Sequence, residues 1–76
     1  MGVYNIAVTI RGERKKAIKY ALLDYLRGEG YTIVSVSGYG FDIDGRENYL
    51  IHFEMPAADG EKVDNAIDRI YEEVLA

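Results

Sequence analysis

His52 is the only histidine and the chain has no cysteine, so side chains able to act as nucleophile, base or metal ligand are few. A tight turn at Asp44-Gly45 would set His52 opposite Ser37, with Ser35 and Glu54 on the same side of the ribbon. Serine, histidine and carboxylate are the parts of a nucleophile–base–orienter set. On a flat sheet face they have no pocket, and a surface or interface histidine is the expected role. Asp42 and Asp44 are spaced for paired-carboxylate or cation chemistry. The turn itself accounts for Asp44 and solvent exposure for Asp42. No catalytic residue, metal site or cofactor is therefore expected, and the chain does not read as an enzyme.

The basic residues say more. Arg11, Arg14, Lys15, Lys16 and Lys19 are five of the nine basic residues and fall within nine positions. They span the end of the first strand and the opening of the first helix. Cations at a helix N-terminus oppose its dipole by roughly 0.3–1 kcal/mol each, while an anion is favoured there. Arg11, Arg14 and Lys15 are the candidate anion ligands, with Arg46 able to reach the same end of the domain. Gly12 lets the backbone come close to a ligand, and Glu13 would repel a phosphate. The competing account is internal compensation. Glu72 and Glu73 lie in the last turn of the second helix, where the dipole disfavours them, and that turn is expected at the same end.

The elements that position these residues follow from hydrophobic period. Val3 to Ile10 alternates, with Tyr4, Ile6, Val8 and Ile10 on one face, as a half-buried strand requires. Residues 13–27 carry apolar side chains at 17, 18, 21, 22, 25 and 26, a helical stripe, and Gly28 is expected to stop it. Residues 31–55 read as a long hairpin turning at Asp44-Gly45. In that register Val36 faces Phe53, Val34 faces Met55, Gly40 faces Tyr49 and Tyr39 faces Leu50. One face then carries Val34, Val36, Ile51, Phe53 and Met55. Pro56 ends the second strand and Asp59 is the expected N-cap of a helix with Val63, Ala66, Ile67, Ile70 and Val74 inward.

The order β-α-β-β-α, with the right-handed crossover rule, predicts an α+β, ferredoxin-like two-layer sandwich. It has a three-stranded antiparallel sheet in the order 1-3-2 and both helices on one face. Residues 1–76 are expected to form a single domain. The fourth strand of such a unit is not expected, which leaves the first strand as an edge with no Lys, Pro or bulge signal. Pairing of two such edges across a two-fold axis would make a six-stranded sheet, so a homo-oligomer, dimer or trimer, is expected. Thirteen residues of strand span about 43 Å at roughly 3.3 Å each, whereas a helix of about 16 residues covers roughly 24 Å. The hairpin should thus project beyond the helices, as a rigid arm or as a loop over residues 39–48. Tyr39, Phe41, Ile43, Tyr49 and Leu50 are its candidate contact residues.

The run Val34-Ser35-Val36-Ser37-Gly38-Tyr39-Gly40, a following loop, a strand ending at Pro56 and the run Lys62-Val63-Asp64-Asn65-Ala66-Ile67-Asp68 resemble the PII-like signalling proteins. In that family a strand ends in a similar glycine pair and leads into a loop that contacts a target. The resemblance covers residues 31–70 and implies a trimer binding nucleotides in clefts between subunits. The loop here is shorter than the family's.

Composition sets the outer bounds. A net charge of -4 argues against nucleic acid as a general partner. No apolar run is long enough to span a membrane, and the start MGVYNIAVTI lacks a basic flank or cleavage site, so cytoplasmic location is the expectation. Three readings of function follow. The first is a small oligomeric regulatory module that binds an anionic metabolite or nucleotide. The second is a protein-interaction or inhibitor domain, of the kind phages use against host defence, acting through the arm. The third is a designed domain without biochemical activity.

Overall fold

A computed structural model describes residues 2–41, 45 and 47–76, with Tyr39 described by its backbone alone. It is an α+β fold in which an antiparallel sheet packs against two helices. The elements are β1 (Val3–Ile10), α1 (Lys15–Gly28), β2 (Thr32–Phe41), β3 (Glu47–Pro56), a single 3-10 turn (Ala57–Asp59) and α2 (Gly60–Leu75). Among the described residues the sheet order is β1-β3-β2.

One core holds the layers together. Ile10, Ile51, Phe53 and Met55 from the sheet meet Ile18, Leu22, Leu23 and Leu26 of α1 and Val63 of α2. The α1 stripe is turned slightly from its expected setting. Leu23 and Lys15 are buried while Ala17 is exposed. In α2, Val63 and Ala66 are buried, and Ile67, Ile70 and Val74 are only half-covered.

The turn after α1 departs from expectation. Gly28 lies inside the helix and Glu29 is its C-cap. Gly30, at φ +78, takes the left-handed position. Its N–H donates to the Arg27 carbonyl and the Tyr31 N–H donates to the Leu26 carbonyl, each at 3.0 Å. That pair of bonds is a Schellman motif, so Gly30 rather than Gly28 supplies the stop.

The hairpin register also differs. Ile33 pairs with Phe53, Ser35 with His52, Val36 with Ile51, Ser37 with Leu50 and Gly38 with Tyr49. The ladder shifts between Ile33 and Ser35 and again between Gly38 and Phe41, which pairs with Glu47. A two-residue turn at Asp44-Gly45 would have set Phe41 against Asn48. Each extra residue in a bulge re-aims the side chains beyond it. Val34, in the first bulge, is therefore 51% exposed, and Ile33 takes the expected core place beside Phe53. Val36 keeps the helix-facing side but sits on an outer strand and is 42% exposed. Gly40 has φ +68 in the second bulge, a conformation glycine adopts without a Cβ penalty.

Candidate interaction surface and cationic cleft

The arm is a strand rather than a loop as far as Phe41. The molecule measures 42 × 25 × 17 Å, while α1 and α2, of 14 and 16 residues, reach about 21 and 24 Å at 1.5 Å per residue. The long dimension thus exceeds either helix. Phe41, opposite Glu47 and so on the same side as Tyr49, is 71% exposed. The Glu47 carboxylate lies over Gly38, in space that a Cβ would enter.

Tyr49 behaves differently from Phe41. It pairs with Ile10 on one side and Gly38 on the other, and packs partly against the core. The Lys19 ammonium lies 4.3 Å from its ring centroid and 4.6 Å from that of Tyr20. These distances suit cation–π attraction, which fastens α1 to the base of the arm. Tyr49 is thus shared between fold and surface. Leu50, half-buried, faces away from the helices between Ser37 and Thr9, so it is not the partner of Tyr39. Ile43, Asp42, Asp44, Arg46 and the Tyr39 side chain lie outside the described residues.

Apart from Lys19, the basic cluster is divided among three roles. Arg14 Nη1 donates a 2.7 Å hydrogen bond to the Val74 carbonyl and so caps the last turn of α2. A cation is favoured at that end of the helix dipole. Lys15 is only 4% exposed. With Glu13, Lys16, Glu47 and Tyr49 it lines a cleft of about 310 Å³. Arg11 is exposed at the end of β1. The cleft therefore mixes two lysines with two carboxylates, and Arg14 is committed to α2. Sequence spacing brought Arg14 and Lys15 to one end of the domain but could not show that one is a helix cap and the other buried.

The opposite end holds a second polar group that sequence reasoning missed. The Tyr31 hydroxyl donates a 2.7 Å hydrogen bond to Asp59 Oδ2. Asp59 makes no side-chain N-cap bond to α2, because its carboxylate is turned to Tyr31. Burial, with the bond to Asp59 next, raises the Tyr31 phenol well above its ordinary range. Burial also raises Tyr25, with the Glu29 charge adding to it, and the Tyr25 hydroxyl is buried without a hydrogen-bond partner. Lys62 meets Glu29 at 2.5 Å across the helix ends, an exposed pair of small energetic weight. Glu29, Gly30, Tyr31, Glu54 and Asp59 line an open cleft of about 360 Å³. No spacing in the sequence signals this cluster: the Schellman turn brings Tyr31 to Asp59.

His52 lies on the face away from the helices, between Ala7 and Ser35 rather than opposite Ser37. Among the described residues no group of three or more His, Cys, Asp or Glu could hold a metal ion, and no helix is long and apolar enough to cross a membrane. Comparison with protein-family models, curated proteins and solved structures finds no match for the chain.

Proposed function

We propose that the chain is a small, non-enzymatic binding module of ferredoxin-like architecture that engages a protein target through its hairpin arm. The observation that carries this reading is Phe41, a large aromatic left 71% exposed on a paired strand. Val36 on the same strand and Tyr20 on α1 are also exposed. Exposed aromatics on a rigid element are the usual anchors of protein contacts. The test compares immobilised wild type with Phe41→Ser as bait for the same cell extract. A protein captured by the first and lost by the second, with the melt of the domain unchanged, supports the reading. Equal capture by both contradicts it.

A second reading is a regulatory module that holds an anionic metabolite or nucleotide, PII-like in kind. Lys15 and Lys16 share one cleft at the α1 N-terminus and support it, while Glu13 and Glu47 in the same lining oppose an anion. Phosphate or ATP should then raise the melting temperature, and Arg11→Ala with Lys16→Ala should remove the rise. Titration calorimetry without heat at millimolar ligand would end this reading.

A further inference from the structure

The far edge of the sheet from β2 is β1. Among the described residues it pairs only with β3, through eight consecutive positions without a bulge. The other outer strand, β2, is interrupted twice. A regular outer strand without Lys or Pro presents its N–H and C=O row to an incoming strand.

The helix side of this edge is incompletely covered. Tyr4 is 50% exposed, and Ile6 and Val8 are half-buried, although their β3 partners Phe53 and Ile51 are fully buried. The start of α2 meets this edge, where a Cβ at Gly60 would lie 3.7 Å from the Tyr4 ring, and Ile67 and Tyr71 of α2 pack on the same core as Ile6 and Val8. Lys62, bonded to Glu29, marks the flank of α2 that faces α1. At about 100° per residue the other flank carries Asp64, Ile67, Tyr71 and Leu75, with Asp68 beside them. Ile67 and Tyr71 are half-buried, while Leu75, Asp64 and Asp68 are exposed. The β1 edge thus carries partly covered apolar side chains on the helix side, and the outer flank of α2 carries exposed carboxylates.

We propose that this edge accepts an extended segment of a partner protein that adds to β1 as a strand, seats apolar side chains beneath α2 and carries Lys or Arg reaching Asp64 and Asp68. The open ladder edge requires a strand. The pleat directs alternate side chains toward α2. The acidic rim and the net charge of -4 select a basic segment. A second copy fits less well. Two-fold pairing of β1 with β1 would bring the acidic stripes of two α2 helices, Glu61, Asp64, Asp68 and Glu72, toward each other.

The probe is the blocked peptide TVTKTVTKT, titrated at low salt against the whole chain. It is expected to shift β1 amide resonances and slow their hydrogen exchange, and to weaken at high salt. Asp64→Asn with Asp68→Asn, both exposed, should weaken it about fivefold without altering the melt. Thr9→Pro should abolish it, and the double Asn variant keeps the test valid if that chain fails to fold. Phe41→Ser should leave it unchanged, so this surface stands or falls apart from the arm. Unmoved β1 amides at millimolar peptide would overturn the proposal, as would equal binding of TVTETVTET. A dimeric mass by light scattering, with β1 amides already protected in the chain alone, would assign the edge to a second copy and overturn it too.

Discussion

Tyr31 and Arg14 each close one end of the molecule with a polar group, and each gives a residue-scale test. Tyr31→Phe removes the bond to Asp59 and is expected to cost about 1 kcal/mol, read from denaturant melts. The pH dependence follows from the raised phenols of Tyr25 and Tyr31. A group whose pKa is higher folded than unfolded stabilises fully below its unfolded value, here 10.0, and loses that contribution as pH rises through the folded value. The melting temperature should therefore fall as pH is raised above about 10, and less steeply in Tyr31→Phe. Arg14→Ala should lower stability by about 0.5–1 kcal/mol through the lost cap on α2. A variant as stable as wild type would show that the bond to Val74 is not maintained in solution. Neither residue's role was legible beforehand. Spacing placed Arg14 near the α2 terminus and Asp59 at the start of α2, but the choice of partner depends on turns that only the folded backbone defines.

At the scale of elements, two glycines two residues apart should respond in opposite directions. Gly28 sits in helical backbone with open space where a Cβ would go, so Gly28→Ala should stabilise by about 0.5–1 kcal/mol. Gly30 holds φ +78, and Gly30→Ala should destabilise by about 1 kcal/mol. Thermal melts of the two variants decide the assignment of the helix stop. The α+β class, the two helices and the antiparallel sheet were legible because hydrophobic period survives a shift of one or two residues. The pairing register of the hairpin, and the place of Val34 in particular, was not. Two bulges displace the ladder, and no side-chain pattern distinguishes a bulged apolar residue from a core one when Ile33, Val34 and Val36 are all β-branched.

For the molecule as a whole, the division between core and contact surface is the main claim. Phe53 and Ile51 are fully buried, and Phe53→Ala should cost about 3–5 kcal/mol, a large share of what a domain this small has. Phe41, on the adjacent strand, should cost nothing measurable. The arm was visible in the sequence as a mismatch of lengths between hairpin and helices. The exposure of Phe41 and the attachment of Tyr49 to α1 through Lys19 were not, since both depend on where the second bulge falls. The most direct test places a photo-crosslinking side chain at position 41, with exposed Asn65 as control, in extract from the source cells. A single crosslinked product from position 41, absent from position 65 and from unirradiated samples, is the expected result. Equal or absent crosslinking at the two positions, in chains that melt like wild type, would contradict the assignment of the arm as the contact surface.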